Sequence, residues 1–239
     1  MDILSTRNIS KRYENFNLNH LNLNLKEGEL FGFLGPNGSG KTTVVKILTG
    51  QLKPTTGKVN LLGTDVINNP VNARKSIGII PEQENPPSFL TTYEYLKFVC
   101  KVREMSVEMS DKKINEWMKF LEFEENKNSL IKNLSRGTKQ KVLITQAFIH
   151  EPKLVFIDEP LINLDPIMQK KFKDFLLKYV KKGNSIFLST HVLSIAQEIC
   201  TSIGIIKNGK IIFQGNLKEI KKKKKNLEAY FIDIIKKNV

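Results

Sequence analysis

The residues with the clearest capacity for chemistry are Gly35-Pro36-Asn37-Gly38-Ser39-Gly40-Lys41-Thr42. They match the pattern G-x-x-x-x-G-K-[ST], in which small residues let successive backbone N–H groups curl around phosphate oxygens. A helix that starts at once afterwards adds its positive end to the same cradle. In that arrangement Lys41 neutralises the β- and γ-phosphates and the Thr42 hydroxyl ligates Mg²⁺. The expected ligand is a nucleoside triphosphate.

Two further segments bear on the same chemistry. Leu154-Val155-Phe156-Ile157 is a short apolar run that delivers Asp158-Glu159 to the C-terminal end of a strand. One carboxylate there can hold Mg²⁺ through water, and its neighbour can orient or deprotonate the attacking water. Alone, such a pair does no more than cap the next helix; beside a phosphate loop it reads as a metal and water site. Leu134-Ser135-Arg136-Gly137-Thr138-Lys139-Gln140 also has a plain reading, with Ser135 as a helix N-cap and Gly137 tolerated in the first turn. Its place between the phosphate loop and Asp158-Glu159, at the end of a long run of helix signals, argues for more.

At this point the chain resembles the nucleotide-binding subunits of ABC transporters, in particular exporter-type single cassettes, whose signature is Leu-Ser-Gly-Gly-Gln or a close variant. The resemblance covers nearly the whole chain, and further elements fall in the family's order. It implies nucleotide contacts from Gly35, Pro36, Asn37, Gly38, Ser39, Gly40, Lys41, Thr42 and Thr43. Tyr13, in Lys11-Arg12-Tyr13, matches the aromatic that stacks on adenine. Asp165, in Asn163-Leu164-Asp165, matches the loop that joins two subunits, and His191, in Ser189-Thr190-His191, matches the histidine that contacts the γ-phosphate. The implied catalytic residues are Glu159, His191 and Lys41, and the implied metal residues are Thr42 and Asp158. A glutamine normally follows the Ile-Pro turn; here Pro81 is followed by Glu82 and then Gln83, and either can reach the metal.

The same resemblance implies an ATPase using ATP and Mg²⁺. Two cassettes, as a homodimer or with a related subunit, would close head to tail, each site combining one phosphate loop with Ser135 and Gly137 of the other. A membrane-spanning permease would be the partner, placing the chain in the cytoplasm on the inner face of the membrane; no specific nucleic acid is expected. The chain departs from the pattern at Arg136, which replaces a signature glycine, and at Ile162-Asn163, where Ser-Gly is usual. Asparagine tolerates left-handed backbone angles, so the turn is expected to survive.

These residues need elements to hold them. Leucines alternate in Leu21-Asn22-Leu23-Asn24-Leu25, which predicts a strand with one buried face. Leu30–Leu34, Lys58–Leu62, Ser76–Ile80, Leu154–Ile157 and Ser185–Ser189 read as strands, and Val44, Val45, Ile47 and Leu48 mark a helix after the phosphate loop. Thr91 and Glu94 have capping-box spacing ahead of the stripe Tyr95, Phe98, Val99 and Val102. Ser110 is the expected cap of a second helix carrying Ile114, Trp117, Met118 and Leu121. Helices are also expected around Phe172, Phe175, Leu176 and Tyr179, and around Leu193, Ala196 and Ile199; Asn208-Gly209 predicts a hairpin.

Strands alternating with helices argue an α/β fold whose mainly parallel sheet binds its ligand at the strand C-terminal ends. With the resemblance, the expectation is a P-loop NTPase core with an N-terminal antiparallel β subdomain and an inserted helical subdomain. The whole of 1–239 is expected to be one ABC ATPase domain: core about 1–85 and 150–215, helical subdomain about 86–149, basic helical tail about 216–239. The helical insertion would supply the groove for a permease helix, with Phe89, Tyr93 and Tyr95 as candidate contacts.

Composition sets the outer bounds. Hydrophobic content of 40% is that of a globular chain, and no uninterrupted apolar stretch is long enough to cross a bilayer. The start lacks a secretory layout, and the two cysteines, Cys100 and Cys200, are expected in the core. The net charge of +14 keeps open a soluble ATPase acting on a ribosome, nucleic acid or assembly scaffold, but no basic stripe is interleaved with stacking aromatics. A small-molecule kinase would account for the phosphate loop and not for Leu134 to Gln140. The run Lys221 to Lys225 reads as a solvated turn, or as a patch attracted to acidic lipid.

Overall fold

The N-terminal alternation of apolar and polar residues builds an antiparallel sheet from β1 (Asp2–Arg12), β2 (Asn17–Leu21), β3 (Asn24–Lys26), β5 (Thr56–Leu61) and β6 (Thr64–Asp65). Its order is β2-β1-β5-β6, with β3 also pairing β1. The computed structural model describes residues 2–82, 86–159, 161, 163–222 and 226–237. The single strand expected over Leu21–Leu25 is two strands. Asn22 leaves the ladder, its Oδ1 accepting from the Asn8 N–H at 2.9 Å, and His20 turns to φ 48°. All three leucines stay buried, so the period-2 pattern holds even though the ladder breaks.

Between β3 and β5 the chain crosses to a second sheet through β4 (Leu30–Leu34) and α1 (Lys41–Leu48). α2 (Pro70–Lys75) and β7 (Ile77–Ile80) precede the helices α3 (Thr92–Val102), α4 (Val107–Phe120) and α5 (Arg136–Phe148). Then come β8 (Leu154–Asp158), α6 (Pro166–Lys181), β9 (Ser185–Thr190), α7 (Leu193–Ile199), β10 (Ser202–Lys207), β11 (Lys210–Asn216), α8 (Leu217–Lys222) and α9 (Leu227–Lys237). Asn208 and Gly209, at φ 47° and 70°, turn β10 into β11.

The second sheet has the order β11-β10-β4-β9-β8-β7, parallel from β10 to β7 with β11 antiparallel at the edge. Its central strands are apolar on both faces because both faces are covered. Phe31, Phe33, Phe156 and Phe187 pack towards α1 and the first sheet, their rings within 5.5 Å of Phe187. Leu30, Leu34, Val155, Ile157, Ile186 and Leu188 face the other way, into the core shared with the helices. The C-terminal ends of β4, β8 and β9 therefore lie side by side, and the loops that follow them converge.

The helical layer follows its caps with one exception. Thr91 and Glu94 form a reciprocal capping box at α3. α4, however, is capped by Ser106, whose hydroxyl accepts from the Met109 N–H at 3.2 Å, and not by Ser110. Ser110 is buried inside the helix, and its hydroxyl donates back to the Ser106 carbonyl at 2.7 Å. Trp117, Phe120, Phe148 and Phe175 lock α4, α5 and α6 together through edge-to-face and tilted ring contacts.

The apolar stripe of α3 is only partly covered. Tyr95 is buried, whereas Phe98 is 56% and Val102 50% exposed, opening on a groove of about 510 Å³ that Val71, Arg74, Val99 and Arg103 also line. Of the three aromatics expected at such a groove, only Tyr95 lines it. Tyr93 hydrogen-bonds Asp111 through its hydroxyl, and Phe89 stands outside at 83% exposure. Cys100 and Cys200 are buried free thiols, and burial pushes both thiols up. Among the described residues no helix is long and apolar enough to cross a membrane. Lys223 to Lys225 lie outside the described residues.

Candidate functional site

The loop between β4 and α1 is shaped by what cannot fit in it. A side chain at Gly35 would meet the Ile206 carbonyl oxygen at 2.5 Å and Ser39 Oγ at 2.7 Å. Gly40, at φ 104°, would place a Cβ 2.6 Å from Leu18 and 2.7 Å from the Phe16 ring. Only glycine meets both demands at Gly40. α1 then starts with no side-chain cap and no acidic residue in its first turn, so its positive end is left open to an anion. Ser39 Oγ is buried without a hydrogen-bond partner among the described residues, an orphan donor at the wall of the loop.

Lys41 is folded into this loop, its ammonium donating to the Gly35 carbonyl at 2.8 Å and to the Pro36 carbonyl at 3.1 Å. Burial pushes its pKa down, against the pull of Glu159, Asp158 and Glu82. Asp158, at the end of β8 and 4% exposed, is displaced the opposite way. Burial first, and then Glu82 and Glu159, raise its carboxyl above the usual range, opposed by the Ser189 and Thr42 hydroxyls. Both charged forms are thus penalised in the same cleft, a state that a polyanion with its own cation would relieve.

The cleft measures about 410 Å³ and is lined by Phe16, Asn37, Gly38, Gly40, Lys41, Thr42, Thr43, Glu82, Asp158, Glu159 and His191. A hard divalent cation fits its donor chemistry. Asp158 and Glu82 offer carboxylates and Thr42 a hydroxyl, while no group of three His, Cys, Asp or Glu side chains among the described residues makes a complete metal cage. Mg²⁺ bound by one or two carboxylates and by substrate phosphates needs no such cage. Gln83 lies outside the described residues.

Glu159 sits at φ 50°, and its backbone N–H donates to the Ser189 carbonyl at 3.0 Å. Its two carboxylate oxygens are both engaged, one by the last residue of β9 and one by the residue after it. Oε2 accepts from the Thr190 hydroxyl at 2.9 Å, and Oε1 accepts from the His191 N–H at 2.8 Å and lies 2.6 Å from His191 Nδ1. The Glu159 side chain is 7% exposed and that of His191 49%. Residues thirty apart in sequence meet because β8 and β9 are neighbours, with Asp158 opposite Ser189. Thr190 gave no sequence signal of its own; only strand order reveals it.

Other sequence-selected residues lie elsewhere. Ser135 is the N-cap of α5, accepting from the Thr138 N–H at 3.1 Å, and is exposed outside the cleft. Gly137 packs against the neighbouring loop, where a Cβ would meet the Asn163 carbonyl at 3.0 Å. Asp165 caps α6 through the N–H groups of Ile167 and Met168, which hold its carboxyl below the usual range. Pro36 is exposed at the loop, and Ile162 lies outside the described residues. Tyr13 is 44% exposed, with the Lys11 ammonium 5.7 Å from its ring, and does not line the cleft. Phe16 does, and the sequence reading passed over it.

Residues 18–162 match the family model described as ABC transporter. An uncharacterised ABC transporter ATP-binding protein of Bacillus subtilis (strain 168) is 34% identical over 92% of this chain and 72% of its own length. A bacitracin transport ATP-binding protein of Bacillus licheniformis is 32% identical over 97% of this chain and 76% of its own length. Among solved structures, the ATP-binding subunit of an ABC transporter superposes with a TM-score of 0.91 at 28% identity, covering 98% of this chain and 99% of that one. A dimeric ATP-binding cassette in a post-hydrolysis state, bound to ADP and phosphate, gives 0.82 at 28% identity over 90% and 98% of the two chains.

Proposed function

Because the chain belongs to the ABC transporter family, we propose that it is the ATP-hydrolysing subunit of a membrane transporter, closing head to tail with a second cassette on two ATP molecules. One observation carries the dimeric part of this reading. The cleft gathers the phosphate loop, Asp158, Glu159 and His191, yet Ser135, exposed, and Gly137, half-buried, stand outside it at the start of α5. Neither lines the cleft of its own chain; from a second copy the α5 N-terminus can complete the cage around the γ-phosphate.

In this mechanism the loop N–H groups and Lys41 hold the β- and γ-phosphates, while Thr42, Asp158 and Glu82 or Gln83 are the residues that would hold Mg²⁺. When bound there, Mg²⁺ would supply neutralisation of the charge developing on the transferred phosphoryl group. Glu159 orients or deprotonates the attacking water. His191, already against Glu159 at 2.6 Å, turns between that carboxylate and the γ-phosphate. Closure of the pair therefore couples γ-phosphate recognition to release of Glu159 from Thr190 and His191. Asp165 lies on the loop that faces the second cassette. The partly apolar groove on α3 receives a helix from a membrane-spanning permease at the inner face of the membrane, with Phe98 and Val102 as its floor and Arg74 and Arg103 at its rim.

The composite site is tested by Ser135→Arg. ATP binding should stay at the parental level, while steady-state hydrolysis falls by about 10²-fold or more, the scale of losing a preorganised donor to a developing charge. Undiminished hydrolysis by monomeric Ser135→Arg protein would overturn the two-subunit site.

A further inference from the structure

We infer that Phe16, more than Tyr13, forms the apolar wall against which the nucleoside of the bound nucleotide packs. This rests on the reading of the cleft as an ATP site and assigns a residue within it.

The cleft has two chemically different ends. Asp158, Glu159, Glu82 and His191 crowd one, which suits the metal and the reacting phosphoryl group. The phosphates occupy the N–H cradle between Gly35 and α1, so the nucleoside leaves by the other end, past Gly40 and Thr43. Phe16 stands at that end. Its ring lies where a Gly40 Cβ would come within 2.7 Å of Cζ and 3.1 Å of Cε1. It is the one wholly hydrocarbon side chain among the described lining residues. A ribose and a base offer the apolar faces that such a ring prefers, and a triphosphate does not.

Tyr13 is placed differently. It opens the turn between β1 and β2, its N–H donating to the Phe16 carbonyl at 2.9 Å. Its ring is 44% exposed beside the Lys11 ammonium, outside the cleft. The turn thus sets Phe16 inward and leaves Tyr13 farther out.

Phe16 also packs against the core beneath α1, so a purely structural role must be separated from nucleoside contact. Calorimetric titration of the full chain with Mg-ATP and, separately, with Mg-tripolyphosphate makes the separation. For Phe16→Ala the Kd for ATP should rise by about 5- to 100-fold, the equivalent of one lost stacking contact, with tripolyphosphate changing less than about 2-fold. Tyr13→Ala should weaken ATP by less than Phe16→Ala does, and Phe16→Trp should restore tight binding. If Phe16→Ala is poorly folded, Phe16→Leu keeps the packing and loses the ring. Equal weakening of both ligands would assign Phe16 to packing and overturn the inference. So would unchanged ATP affinity, or a larger loss from Tyr13→Ala. Parental protein that bound neither ligand would instead remove the ATP reading beneath it.

Discussion

The parallel sheet and the face of α3 are both rich in apolar residues, yet they are finished to different degrees. Every residue of β4, β8 and β9 is buried, and each phenylalanine of that core has ring neighbours on its own face. On α2 and α3, Val71, Phe98 and Val102 are half exposed or more, rimmed by Arg74 and Arg103. The first region satisfies itself and so presents Asp158 at the end of β8, and Glu159 and His191 just beyond the ends of β8 and β9, on a fully buried base. The second leaves apolar area in water, a liability unless something covers it. Complete burial positions the chemistry in one, and in the other the uncovered face is where the proposed partner would dock.

The largest expected effect probes the finished region alone. Glu159→Gln should lower the hydrolysis rate by about 10²- to 10⁴-fold, the usual contribution of a positioned general base. Its single amide oxygen can replace only one of the two carboxylate oxygens, so either the Thr190 hydroxyl or the His191 N–H loses its acceptor and stability should fall by about 1–3 kcal/mol. ATP binding should persist, and size-exclusion chromatography with ATP should show a trapped dimer. Parental hydrolysis would remove Glu159 from its role.

An intermediate effect probes the joint between the regions. His150 follows α5, its Nε2 lies 3.2 Å from the Ile77 carbonyl of β7, and its Nδ1 is buried without a partner among the described residues. Burial, and then the Arg103 guanidinium at the end of α3, push its pKa from 6.5 down to about 4. The unfolded chain therefore binds a proton below 6.5 that the folded chain refuses until about 4. The contribution is complete above 6.5 and is lost as the pH falls towards 4, by at most about 3 kcal/mol. Urea unfolding at a series of pH values should show that slope, and His150→Gln should flatten it. An identical slope in both proteins would assign the acid sensitivity to the carboxylates.

How much of this was legible in the sequence differs by region for the same physical reason. Leu30–Leu34, Leu154–Ile157 and Ser185–Ser189 announce themselves because a strand covered on both faces is apolar at every position. The phosphate loop is legible because glycine is demanded by contacts as close as that between Gly35 and Ile206. Ser106 and Ser110 were not separable by pattern, since each precedes apolar residues at helical spacing; burial of Ser110 decides between them. The split of Leu21–Leu25 depends on Asn22 finding Asn8, a contact between strands that no local pattern contains. Thr190 and Phe16 depend in the same way on strand order and on the inward set of one turn.

The smallest expected change in stability is the sharpest test of the unfinished region. Phe98 is 56% exposed, so Phe98→Ser removes little buried area and should alter stability by no more than about 0.5 kcal/mol. Nucleotide binding should be unchanged, because the groove and the phosphate-loop cleft share no lining residue among those described. What should change is association. Affinity capture of the parental chain from detergent-solubilised membranes of its own cell, read by mass spectrometry, should recover a multi-spanning protein in fixed proportion. Capture with Phe98→Ser should lose it while the captured chain still binds ATP. A loss of several kcal/mol on substitution would mean that the groove is as finished as the sheet. Equal recovery by both proteins would place the membrane partner elsewhere. Capture of ribosomal or nucleic-acid proteins from the soluble fraction would replace the permease with a macromolecular assembly, and the net charge of +14 would then describe that surface.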